Sequence, residues 1–197
     1  GNYDSSSVSL IDAWVNWDIC DWTNLKFGRF KVPFGWQHQV HKSDLQFGNR
    51  ALPYRATAGF NNAAWNSMNL GYENVGSLGH IYDRDEGLMF HDMLAVPWFG
   101  DFLADFQFEY AAGLFDGYLA SSGSWLMPAW RVAIHPFGAV PYTESDFRQN
   151  TDDFLMSWGT SWYYDRGSEH ADRARTAWEL DIAIKWYGFS LVGEWMW

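Results

Sequence analysis

Apolar and polar residues alternate along most of this chain with a period of two. From Leu10 onward, Ile11, Ala13, Val15, Trp17 and Ile19 share one face, while Asp12, Trp14, Asn16 and Asp18 take the other. From Ala104, Phe106, Phe108, Tyr110 and Leu114 alternate with Asp105, Gln107, Glu109 and Gly113. From Trp178, Leu180, Ile182, Ile184 and Trp186 alternate with Glu179, Asp181 and Lys185. Such alternation predicts strands with one apolar and one wet face. Weaker versions over Asn24–Phe34, Glu86–Ala95, Pro128–His135, Phe154–Asp165 and Phe189–Trp197 bring the predicted count to eight. Asp92 is out of place, because it falls on the face set by Leu88, Phe90 and Leu94. No amphipathic helix of useful length is evident.

The links between these strands alternate in length. Cys20 to Thr23, Val96–Phe102 and Tyr187-Gly188 are short, whereas 35–85, Asp116–Met127 and Asp165–Thr176 are longer. Short turns at one rim and long loops at the other mark an antiparallel transmembrane β-barrel. Pro136–Asp153 breaks the rule, being long where a short turn is due. The link over 35–85 is too long for an idle connection, and loops of that length are usually functional or disordered.

Composition narrows the solvent. The chain holds 14 Trp, 10 Tyr and 15 Phe in 197 residues, an excess rewarded at a membrane interface or in a sugar-binding cleft. No run approaches the 18 or so apolar residues of a transmembrane helix. Cys20 stands alone, which excludes an intramolecular disulfide and a cysteine-built zinc site. The net charge of −11 is uneven: Lys26, Arg29, Lys31, Lys42, Arg50 and Arg55 face only Asp44 between Thr23 and Phe60. A basic stretch within an acidic chain asks for a local role.

The segment Phe27-Gly28-Arg29-Phe30-Lys31-Val32-Pro33-Phe34-Gly35 resembles the signature of the phosphate-selective porins, the O and P type porins of bacterial outer membranes. Other pieces follow in that family's order. They are Leu10-Ile11-Asp12-Ala13-Trp14-Val15, Arg84-Asp85-Glu86-Gly87-Leu88-Met89, Tyr110-Ala111-Ala112-Gly113-Leu114-Phe115-Asp116-Gly117, Arg131-Val132-Ala133 with His135-Pro136-Phe137, and Val192-Gly193-Glu194. Residues 56–82 match no pattern of the family.

The resemblance implies a trimeric barrel of about sixteen strands in the outer membrane, its pore narrowed by a loop that folds inward. Residues 1–197 would then form a single porin domain supplying the middle half of the barrel, with both ends of the parent missing and 35–85 as the loop. Lys26, Lys42, Arg50, Arg55 and Arg131 are the expected pore-lining, anion-binding residues. Asp12, Asp105, Glu109, Glu179, Asp181 and Glu194 are the expected lumen carboxylates. A narrow, partly desolvated passage magnifies each fixed charge, and arginine forks suit phosphate or carboxylate oxygens. The expected function is passive diffusion of small solutes with a modest preference for anions such as phosphate. The partners would be those solutes, membrane lipid and two further copies of the chain. No catalysis, cofactor, metal or nucleic acid is expected.

Other chemistry is sparse. His38-Gln39-Val40-His41 with Asp44 has metal-ligating side chains but no helix to set their geometry, and a solvated loop is the simpler reading. Glu179 and Asp181 share a strand face, as paired glycosidase carboxylates would, yet in a porin they are lumen charges. No nucleophile elbow, phosphate loop or dinucleotide fingerprint is present. The main alternative is a soluble β-sandwich that binds or hydrolyses carbohydrate. A second is a complete eight-stranded barrel, whose lumen side chains alone would fill.

Overall fold

Eight strands form in the computed structural model of the chain, which describes residues 12–46, 84–96, 105–116, 126–146, 152–165 and 175–197. They are β1 (Ala13–Cys20), β2 (Thr23–Lys31), β3 (Arg84–Ala95), β4 (Gln107–Phe115), β5 (Met127–His135), β6 (Leu155–Asp165), β7 (Arg175–Trp186) and β8 (Phe189–Met196). A one-turn helix, α1 (Trp36–Gln39), and a 3-10 turn at Lys42–Asp44 follow β2. Each strand pairs antiparallel with its sequence neighbour, giving one sheet in the order β1 to β8. The sheet is open, with β1 and β8 as its edges. No helix among the described residues is long and apolar enough to cross a membrane, which says nothing of crossing by strands.

The register carries the sequence alternation across the whole sheet. One cross-strand row reads Trp17, Leu25, Phe90, Ala112, Trp130, Trp162 and Trp178 from β1 to β7. Trp197 extends it through reciprocal backbone bonds with Trp178. The next rows on that face hold Tyr110, Val132, Thr160, Leu180 and Trp195, then Phe108, Ile134, Trp158, Ile182 and Gly193. None of these large side chains is buried, and seven are exposed, Trp195 to 74%. Asp92 pairs with Tyr110 on the same face, so the sequence anomaly is real. It accepts a bond from Asn24 Nδ2 at 3.1 Å close to the β1–β2 turn, and Tyr110 donates to Thr23 there.

The long row also shows the strands to be staggered. Trp17 stands three residues before the end of β1, and Trp178 stands eight before the end of β7. At about 3.3 Å per residue and 4.8 Å per strand, that climb is about 17 Å over about 29 Å of sheet, an inclination of about 30°.

The opposite face is covered. Its cross-strand rows include Ala111, Arg131, Ser161 and Glu179, and then Glu109, Ala133, Gly159 and Asp181. Small residues dominate it (Ala111, Ala129, Ala133, Ser157, Gly159, Ser161, Ala177 and Ala183), so chain can pack at backbone distance from the sheet. Two segments do so. Residues 32–46 enter from the rim of the long links, and residues 136–146 enter from the rim of the short turns. Val32, Phe34, Trp36, Val40 and Val140 are thereby buried. The Phe34 ring meets Tyr163 edge-on at 5.0 Å, and Trp36 packs on Tyr142 at 4.4 Å.

Gly28 explains part of the β2 motif. Its φ is 121°, and a Cβ there would strike the Ala13 carbonyl oxygen and lie 2.9 Å from Trp14 Cα. β1 can approach β2 this closely only at a glycine. Beyond it, Pro33 lacks the N–H that a continuing strand needs, and the chain turns inward.

Candidate functional site

The chemistry of the chain gathers on the covered face. Arg131 rises from β5, is 1% exposed, and reaches across β6 to β7. Its Nη1 and Nη2 donate to the two oxygens of Asp181, the second at 3.0 Å. Nη1 also lies 3.5 Å from Glu179 Oε2, and Nε donates to the Tyr142 hydroxyl at 3.0 Å. The crossing depends on Gly159 of β6. A Cβ at that position would collide with Arg131 Nη2 and lie 2.5 and 2.6 Å from the Asp181 oxygens.

A second chain of bonds starts from the same arginine. The Tyr142 hydroxyl donates to Glu109 Oε1 at 2.6 Å, while His135 Nε2 lies 3.2 Å from Glu109 Oε2. The Val140 N–H donates to His135 Nδ1, so Nδ1 is unprotonated and Nε2 is the nitrogen that donates to Glu109. Burial pushes the Tyr142 phenol well above its usual range against the pull of Arg131, so it stays a donor to Glu109.

The inward segments are fastened by charges. Gly35 N–H donates to Ser161 Oγ at 2.9 Å, and Ser161 in turn donates to Glu179 Oε2 at 2.7 Å. Gln37 N–H donates to Glu194 Oε1 at 2.9 Å. Lys31 Nζ gathers the carbonyls of His38, Gln39 and Val40 within 2.8–3.1 Å. On the other segment, Lys185 Nζ donates to Thr143 O at 2.8 Å, and the Asp146 carboxylate accepts from Gly188 N–H at 2.9 Å. Glu144 joins the two: its carboxylate accepts from Gln37 Nε2 and from Gln46 N–H, and its own N–H donates to Asp44 O at 3.1 Å.

The expected site residues separate into groups. Arg131, Glu109, Glu179, Asp181 and Glu194 come together on the covered face, where Arg131 has its donors committed to protein oxygens and no face toward solvent. Lys26 lies on the same face at its uncovered end, with Nζ 4.4 Å from the centre of the Trp14 ring. Asp12 stands apart at the edge, paired with Arg84 at 2.8 Å, and Asp105 is exposed ahead of β4. Lys42 sits in the 3-10 turn of the inward segment, but its side chain lies outside the described residues, as do Arg50, Arg55 and the rest of the 35–85 link beyond 46. His38 is buried in α1, and His41 bonds Ser43 at 2.8 Å. Among the described residues no group of three His, Cys, Asp or Glu is placed to hold a metal ion.

Sequence reasoning missed Gly159, Ser161, His135, Tyr142, Glu144 and Lys185 as members of the site. The one signal for three of them was the anomalous length of the Pro136–Asp153 link, which supplies Tyr142 and Glu144 and engages Lys185. Comparison with protein-family models, with characterised proteins and with solved structures finds no match to this chain.

Proposed function

We propose that this chain is part of an outer-membrane β-barrel porin of the phosphate-selective kind, a passive channel with a modest preference for small anions. The observation that carries the proposal is the inverted distribution of side chains. Arg131, His135, Glu179, Asp181 and Lys185 are buried on one face, while Trp158, Trp178, Leu180, Leu191 and Trp195 are exposed on the other. An eight-stranded face of that kind is about 34 Å wide from edge to edge, far beyond the apolar patch a soluble monomer exposes. Lipid is the solvent that satisfies it.

Three further features support the reading. The inclination of about 30° approaches the tilt that closed barrels require. Indoles stand near both rims of the open face: Trp178 and Trp186 are eight residues apart on β7, about 23 Å of membrane depth once the tilt is allowed for, close to the height of an outer-membrane apolar band. The open edges of β1 and β8 suit a larger barrel of about sixteen strands, in which further strands pair with both. A soluble sandwich needs two packed sheets, and the described residues form one.

On this reading the covered face is the lumen side, and the inward segments narrow it. Lys26, Lys42, Arg50 and Arg55 supply the positive potential that draws anions, with lipid around the wall and a homotrimer as the assembled state. The test uses the full-length protein refolded in detergent and placed in a planar bilayer. Heat-modifiable gel migration together with stepwise conductance is expected. A protein that stays in the soluble fraction and inserts no channels overturns the proposal.

A further inference from the structure

The covered face is not covered everywhere. The inward segment at Val32 and Phe34 buries Phe30 of β2 and Met89 of β3 but leaves β1 exposed along its length, and Trp14 is 51% exposed there while Arg131 and Glu179 are sealed a few strands away. The side chains in this window are Trp14, Asn16, Asp18, Asn24, Lys26 and His91, placed together by the β1–β2 and β2–β3 registers. We propose that they form a subsite for a cyclic sugar acid, a six-membered polyhydroxylated ring bearing one carboxylate. The inference rests on the channel reading for its place in the lumen, and on its own geometry for its chemistry.

The polar groups are already aimed. His91 Nε2 bonds Asn16 Oδ1 at 2.8 Å, Asn16 Nδ2 donates to Asn24 Oδ1 at 3.1 Å and to Asp18 Oδ1 at 3.3 Å, and Asn24 Nδ2 donates to Asp92 Oδ2 at 3.1 Å. The first three bonds lock a ladder of amides whose oxygens keep a second lone pair each, while Asn24 Nδ2 ties the end of the ladder to Asp92 of the opposite face. Sugar hydroxyls donate, so a fixed ladder of acceptors suits them.

Lys26 adds the charge. Among the described residues its ammonium has no hydrogen-bond acceptor and no ion pair within bonding distance; the rings of Trp14 at 4.4 Å and Phe30 at 5.6 Å lie against it, and the Asp12 carboxylate acts on its charge from further off. An ammonium held against aromatic rings keeps its three donors for a guest, and a carboxylate is the guest that makes them charge-assisted bonds. The exposed part of the Trp14 indole offers a flat apolar surface for the C–H face of a ring. An open-chain acid lacks that face, and a neutral sugar leaves Lys26 unanswered.

The probe is D-glucuronate, with D-glucose and acetate as controls, titrated calorimetrically into the full-length protein in detergent and then added to the bilayer. Glucuronate is expected to bind about tenfold more tightly than either control, and to interrupt channel current at correspondingly lower concentration. Lys26→Gln and Trp14→Ala should each cost about tenfold in glucuronate affinity, and Asn16→Ala about threefold, with unitary conductance in plain salt retained in Trp14→Ala and Asn16→Ala. Channels that conduct normally but bind the three probes alike overturn the subsite and leave the porin reading standing. Selective binding in detergent by a protein that forms no channel upholds the subsite and overturns the porin. A loss that is equal for glucuronate, glucose and acetate in every variant also overturns the subsite, because it means general damage to the fold.

Discussion

Arg131 and Asp181 form a two-pronged ion pair between strands that are not neighbours, passing over the bare backbone of Gly159. The pair is buried, so its Coulombic gain stands against a large desolvation cost, and only good geometry keeps it favourable. Gly159→Ala should therefore act like removal of a partner, lowering stability by about 3 kcal/mol. Gly193→Ala is the control, since a Cβ there meets only Ile182 Cγ2 at 3.5 Å. Urea unfolding in detergent, followed by gel mobility, should show a large shift for the first and almost none for the second.

Leu180 stands near the middle of β7 on the open face and is 50% exposed. In water, Leu180→Arg at such a position would change stability by no more than about 0.5 kcal/mol. In a bilayer it should cost about 2–4 kcal/mol, because the midplane penalises the guanidinium most. Refolding yield into lipid vesicles, compared with that of Leu180→Ala, distinguishes the two solvents.

Single cysteines probed with a water-soluble reagent in the intact membrane should map three environments. Asn16→Cys and Met93→Cys, both exposed on the face proposed to line the lumen, are expected to label. Phe108→Cys and Ile182→Cys are expected to be protected by lipid. Asp181→Cys should also be protected, but by the inward segments, and should become reactive when urea loosens them. Labelling of the Phe108 and Ile182 positions together with protection of Asn16 would reverse the assignment of faces.

Selectivity should depend on the basic stretch after β2. Changing Lys42, Arg50 and Arg55 together to Ala is expected to move the zero-current potential in a salt gradient toward cation preference. The wild-type preference should fade between 0.1 and 1 M salt, as the screening length falls from about 10 to about 3 Å. An anion preference untouched by the triple change would take these residues out of the mechanism.

Much of this was legible in the sequence, because a period of two is a local property. The strands over β4 and β7 could be read to within a residue at their ends and three at their starts, and the misplaced Asp92 could be read as well. The site was not legible in the same way. That Glu179 and Asp181 share a face follows from their spacing, but that Arg131 answers them requires the register of three strands and the missing Cβ of Gly159. The inward course of 136–146 showed itself only as an exception to the alternation of link lengths. Its reason is tertiary: Tyr142 and Lys185 meet their partners only once the sheet exists to hold them in line.

Glu144 ties together segments that enter from opposite rims, and its partner Gln37 is 107 residues away in sequence. Contacts so distant form late, since the chain between them must be ordered first. If the protein is the porin proposed above, the wall of its barrel is therefore expected to be complete, and already across the bilayer, before its interior closes. A freshly inserted molecule would pass through a wide, leaky stage and then settle to its mature conductance. Glu144→Ala should prolong that stage, visible as large early current steps that decay slowly after insertion, with the strands themselves intact.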